Sequence, residues 1–165
     1  MKIGAGLCCF LPYFHYLCVI NSYCNIDNQS INFMAELKNP IHEAERYLQN
    51  ARQMLSDKAG KDGDYYSDRK YVKIAGHTAW CGVLVALDGV LGIKAGLKRK
   101  QRLEFKDYQE AVSKIDNKMN RPLLNSYETL HKVLGYDGNL RYKIVQDGLE
   151  EAQNIIDWAN KHYQN

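Results

Sequence analysis

The sequence predicts an all-α fold, an antiparallel bundle of four to five helices. Three observations lead there. Apolar residues recur at helical spacing over most of the stretch from Pro40 to Tyr163. No segment shows the alternation of a half-buried strand, and the periodic stretches are separated by short turns built from Gly and Asp. Short connections between amphipathic helices favour antiparallel neighbours. At 165 residues the chain is long enough to bury roughly two thirds of its extended surface without a metal or a disulfide. With 45% apolar residues, 25% charged residues and 3 Pro, collagen-like, mucin-like and disordered classes are excluded.

The first 33 residues differ from the rest. They hold four of the five cysteines (Cys8, Cys9, Cys18 and Cys24) and an apolar run interrupted by Pro12, His15 and Asn21. That run is too broken for a membrane-spanning helix. Composition changes at Met34, where MAELKNPIHEAERYL begins like an ordinary bacterial protein start. Residues 1–33 are therefore expected to be an over-extended start or a loosely attached tail, with a signal segment and a structured element as alternatives. Residues 34–165 are expected to form one helical domain. Its single cysteine, Cys81, points to a reducing, cytoplasmic setting.

The first helix is expected over Pro40–Ala59. Asn39 serves as cap, Pro40 opens the first turn, and Ile41, Ala44, Leu48, Ala51, Leu55 and Ala59 form one stripe. Gly60 and the following KDGD end it. Ser67 or Asp68 then caps a second helix over Arg69–Gly96, apolar nearly all round from Ile74 to Leu91 and so expected to be the central one. Along it Ala75, Ala79, Gly82, Ala86 and Gly89 recur every three or four residues, with Gly96 beyond. Glycine is a poor helix former, so this stripe predicts close approach of another backbone.

A charged stretch, KRKQRLEF, follows as a loop or continuation. A third helix begins near Asp107 with Tyr108, Ala111, Val112, Ile115 and Met119 inward. Pro122 breaks the ladder, and a fresh helix capped by Asn120 carries Leu123, Leu124, Tyr127, Leu130, His131 and Leu134. Gly135–Gly138 closes it. The last helix is expected over Leu140–His162, with Ile144, Val145, Leu149, Ala152, Ile155, Ile156 and Ala159 inward.

Few polar residues carry chemistry by spacing. His77, Cys81 and Asp88 share one side of the second helix, but His77 and Asp88 stand about 16 Å apart along its axis and cannot form one small pair. Separate hydrogen-bond partners on neighbouring helices are the favoured account. Tyr127 and His131 lie one turn apart on one face, where imidazole and phenol could do acid–base work. His77, His131 and Tyr127 are thus the weak catalytic candidates. His42, His77, His131 and His162 lack metal-motif spacing and the domain has no cysteine pair, so neither metal nor cofactor is expected.

The two turns before the second and last helices can lie at one end of the bundle. Tyr65, Tyr66, Asp68, Lys70, Tyr136, Asp137 and Asn139 are the candidates there for ligand or partner binding, since rigid aromatics with polar tips serve interfaces. Lys94, Lys98, Arg99, Lys100, Arg102 and Lys106 gather six positive charges in 13 residues, with Lys98, Arg99, Lys100 and Arg102 the candidate phosphate contacts. No Gly-rich phosphate loop accompanies them and net charge is only +3, so a solvated helix end is favoured over nucleic-acid binding.

The phrases KAGKDGDYYSDRKYVKIAGHTAWCGVLVALDG (58–89) and LGYDGNLRYKIVQDGLEEAQNIIDWA (134–159) resemble a family of small uncharacterised bacterial helical proteins, distantly similar to HEPN-like bundles. The resemblance spans about residues 38–163. It implies a HEPN-like helical bundle, often dimeric, among proteins that handle nucleotides or RNA, act as ribonuclease toxins or accompany nucleotidyltransferases. Nucleases of that group carry an Arg followed closely by a His. Here seven residues separate Arg69 from His77 and nine separate Arg121 from His131, so the motif is unfilled. A non-catalytic binding or interaction module with an unknown or identical partner, not embedded in a membrane, is the expected function. A nucleotide- or RNA-binding HEPN-like protein, serving a nucleotidyltransferase or a toxin–antitoxin pair, is the alternative, and a His-based hydrolase the second alternative.

Overall fold

A computed structural model describes residues 39–92 and 103–163, and five helices forming a bundle account for most of them. Helix α1 covers Pro40–Met54. The Asn39 side chain accepts the Ile41 N–H at 2.9 Å, Pro40 stands at the first helical position, and the helix widens into a π turn over Leu55–Ala59. A two-residue hairpin follows, β1 Lys61–Asp62 and β2 Tyr65–Tyr66, where no strand was expected. Its reason is tertiary: the Tyr66 N–H donates to Leu140 O and the Tyr142 N–H to Asp64 O, both at 2.8 Å. Backbone from the start of the last helix therefore pairs with the hairpin, and residue pattern alone holds no trace of that.

Helix α2, Arg69–Leu91, begins at Asp68, whose carboxylate accepts the Lys70 N–H at 2.9 Å. It ends five residues earlier than the expected Gly96, because Gly92 adopts a left-handed conformation (φ 61°) that closes the last turn. Lys94, Gly96, Lys98, Arg99, Lys100 and Arg102 lie outside the described residues, as do residues 1–33. Helix α3, Phe105–Ile115, starts two residues before Asp107, whose carboxylate accepts the Glu104 N–H at 2.8 Å. Asp116 turns extended and caps the short 3₁₀ turn Asn117–Met119 that leads into α4, Asn120–Ser126. The fresh start before Pro122 is thus present, but its cap is Asp116 rather than Asn120. Helix α4 runs on without a break as a π-helical segment, Tyr127–Tyr136. Helix α5, Tyr142–Tyr163, starts where Asn139 Oδ1 accepts the Arg141 N–H at 2.9 Å.

Helix α2 is the hub, packed by α1, the π segment that follows α4, and α5. Nine of its residues are buried, including Val72, Ala79, Val83 and Leu87. The small-residue stripe lies where α1 crosses. A Cβ at Gly82 would fall 2.9 Å from Ala44 O, and one at Gly89 2.5 Å from Pro40 Cγ. Gly76 faces the other way, and a Cβ there would meet Leu134 Cβ at 2.7 Å. Moving along α2 from 82 to 89 thus moves back along α1 from 44 to 40, so the two are antiparallel. The same test places Gly148 against Thr129 and makes the α4 π segment and α5 neighbours. Among the described residues α2 is the one helix long and apolar enough to cross a membrane; in the bundle its buried face is taken up by these contacts.

Candidate functional site

A cleft of about 880 Å³ opens between α2, the start of α3 and the π segment after α4. Helix α2 contributes His77, Trp80, Cys81 and Leu84, three and four residues apart on one side. The start of α3 contributes Phe105 and Tyr108, and the π segment contributes Tyr127 and His131. Phe105 and Tyr127 stack at 4.0 Å between centroids with planes 11° apart, and Tyr127 stacks on His131 at 5.2 Å and 24°. Trp80 lies tilted against Phe105, Tyr127 and His131 at 5.4–6.1 Å.

The π geometry is what completes this column of rings. At about 3.6 residues per turn, Tyr136 would stand two and a half turns past Tyr127, on the opposite face. Hydrogen bonds that close i→i+5, such as Asp137 N–H to Lys132 O at 3.0 Å, widen the turn by about one residue. Nine residues then make about two turns, and Tyr136 returns to the face of Tyr127 and His131. Its ring meets His131 edge-on at 5.0 Å and His77 at 5.5 Å. The missing side chain of Gly135 makes room beside them, since a Cβ there would lie 2.7 Å from His77 Cε1.

His77 and His131 therefore converge, with centroids 5.6 Å apart and planes at 73°. His77 and Tyr136 thus join Tyr127 around His131, from a second helix and from the widened turn. Burial holds the His131 imidazole below the usual histidine range, and the nearby His77 and Lys132 add to this. Its Nδ1 is enclosed without a hydrogen-bond partner. An enclosed N–H without an acceptor costs more than an enclosed lone pair, so the neutral ring carries its proton on Nε2. Cys81 is exposed, but partial burial of its thiol raises the pKa, which disfavours the thiolate.

Asp88, at the far end of the α2 polar side, accepts a 2.7 Å hydrogen bond from the Tyr108 hydroxyl. Burial and this carboxylate push the Tyr108 phenol well up. Asp88 thus has its own partner on α3, separate from His77. Among the described residues no group of three or more His, Cys, Asp or Glu could hold a metal ion.

The turn candidates divide. Tyr66 is buried: its hydroxyl accepts from Gln146 Nε2 at 3.0 Å and its ring packs on Tyr142. Asp68 and Asn139 cap helices. Lys70 reaches over the Tyr71 ring. Tyr65 and Tyr136 are 48% and 61% exposed, and Tyr65 and Asp137 line a smaller cleft at the bundle end. Sequence reasoning missed Trp80 and Phe105 as cleft walls. The available signal was the i, i+3, i+4 set His77, Trp80 and Cys81 on an otherwise apolar helix.

The family model described as a domain of unknown function (DUF5618) matches residues 39–161. The chain belongs to this family. The DUF5618 domain takes in the whole aromatic cleft and the bundle-end turns, while residues 1–33 fall outside it. A solved structure of a protein of unknown function from Dyadobacter fermentans is 39% identical, covering 75% of this chain and 95% of that chain with a TM-score of 0.67. No curated protein matches the chain.

Proposed function

We propose that the DUF5618 domain is a non-catalytic binding module that takes a planar aromatic or heteroaromatic ring into the cleft between α2, α3 and the π segment. The observation that carries this is the ordered column Phe105–Tyr127–His131, flanked by Trp80, in a cleft of ligand size. Stacked and edge-on arrangements with such rings favour a planar guest. The His131 Nε2–H, with Nδ1 enclosed, supplies a directional donor. An enzyme reading draws on the meeting of His77 and His131 beside Cys81, yet burial raises the Cys81 thiol pKa, which disfavours the thiolate a nucleophile needs.

Kinship with HEPN-like bundles is supported by helix order and size, while the Arg–His spacing speaks against a nuclease member. A cytoplasmic location is supported by Cys81 being the only cysteine after residue 33. Placement outside membranes is supported by the use of α2 as the packing hub.

Trp80 and Trp158 are the two tryptophans, so Trp158→Phe leaves Trp80 as a cleft reporter. Indole, adenosine and riboflavin, titrated as planar probes, are expected to change its fluorescence, and Tyr127→Leu to abolish the change. Absence of any response among the three, or a response unaffected by Tyr127→Leu, would overturn the proposal.

A further inference from the structure

The end of the bundle where α2 and α5 begin holds a second cleft of about 430 Å³, lined by Tyr65, Arg69, Arg141 and the turn 137–140. Its geometry follows from Gly138, whose φ of 65° suits the turn and whose lack of a side chain admits two cationic stems. A Cβ there would fall 2.5 Å from Arg69 Cγ and 2.8 Å from Lys73 Cε. Neither Arg69, Lys73 nor Arg141 has a carboxylate within ion-pair distance among the described residues. Asp137 is the one carboxylate residue in the lining, and the nearby Asp68 carboxylate is engaged by the Lys70 N–H. Arg69 and Arg141 are both exposed, so their guanidinium groups can exchange water for the carboxylates of a partner.

Tyr65 stands exposed in the lining and its backbone bridges to Arg141, while Tyr136, also exposed, immediately precedes the turn 137–140. Tyrosine and arginine together are the composition of interface hot spots, and the forked arginine donors match carboxylates in two-pronged fashion. Tyr65 is held by the hairpin, and Tyr136 by its edge-on contacts with His77 and His131. The Tyr136 ring is thereby presented with little conformational entropy left to lose, and the Tyr65 backbone is fixed beside Arg141.

We propose that this bundle end docks an acidic segment of a partner protein, whose carboxylates pair with Arg69 and Arg141 and whose chain packs on Tyr65 and Tyr136. The site shares Tyr136 with the ring column of the aromatic cleft, but docking here does not require a ring ligand there.

The full chain, titrated against a fluorescein-labelled peptide of alternating Glu and Leu, tests this by fluorescence anisotropy. Binding should weaken at least about tenfold in Arg69→Ser/Arg141→Ser, equivalent to about 1.4 kcal/mol, and also in Tyr65→Ala. Lys118→Ser/Arg121→Ser, which removes two cations from the segment between α3 and α4, should leave it unchanged. Circular dichroism confirms that each variant is folded. No binding by the parent, equal binding by the arginine double variant, or equally tight arginine-dependent binding of a single-stranded oligonucleotide of matched charge would overturn the proposal.

Discussion

The His77 imidazole stands edge-on to that of His131, 5.6 Å away, on a helix separated from it by more than 50 residues of chain. The neighbouring His77 imidazole disfavours a charge on His131. Packing with Trp80 and Tyr127 adds the cost of burial to His131.

Stability should therefore fall on mild acidification. A histidine whose folded pKa lies below its unfolded value of 6.5 binds protons more readily when unfolded. Its penalty is absent well above pH 6.5 and grows as pH falls through 6.5 toward the folded pKa. Urea unfolding at pH 7.5 and pH 5.0 should show a smaller loss for His131→Phe, which keeps a ring in the stack, than for the parent. Equal losses would assign the acid sensitivity elsewhere.

Glu151 has the opposite sign. Burial raises its carboxyl pKa, Asp147 adds to this, and a hydrogen bond with Asn125 partly offsets it. The fold then prefers the protonated acid, so stability is lost as pH rises through 4.5 toward the folded pKa. Glu151→Gln should raise the unfolding midpoint at pH 7 and change it little at pH 4; a loss at pH 7 would contradict this.

Gly82→Leu and Gly89→Leu should each destabilise by at least about 1–3 kcal/mol, since overpacking displaces the α1 backbone or Pro40. Denaturation midpoints within about 0.5 kcal/mol of the parent would show that α1 yields freely at these crossings.

Tyr108→Phe should cost about 1–3 kcal/mol by removing the donor to Asp88. In alkaline titration the parent should show a phenol held well above the ordinary tyrosine range by burial and Asp88, and the variant should lack it.

Purified protein should leave a mixed RNA substrate intact, and His131→Ala should alter thermal unfolding rather than any activity. Metal-independent cleavage that disappears in both folded His77→Ala and His131→Ala would reverse the non-catalytic assignment. Residues 34–165 alone should unfold cooperatively, a result checked by calorimetry against the full chain.

Helix positions and most inward faces were readable because they depend on neighbours within a few residues; Ile115, placed inward by spacing, is 43% exposed where α3 ends. Asn39 and Asp68 as caps, the burial of Ile41, Leu48, Leu149 and Ile155, and the close approach at Gly82 and Gly89 all follow from local chemistry and period. The end of α2 was misplaced because Gly92, Gly96 and the residues between read alike until one adopts a left-handed turn.

Tertiary structure alone decided the rest. The hairpin 61–66 exists because residues 140–142 complete its backbone hydrogen bonds. The aromatic cleft exists because a π turn shifts the side-chain period after Tyr127, carrying Tyr136 to the face of His131 while packing brings in Phe105, Trp80 and His77. A sequence displays its own period; which elements meet, and where a turn widens to let them meet, is set by the fit of side chains from distant parts of the chain.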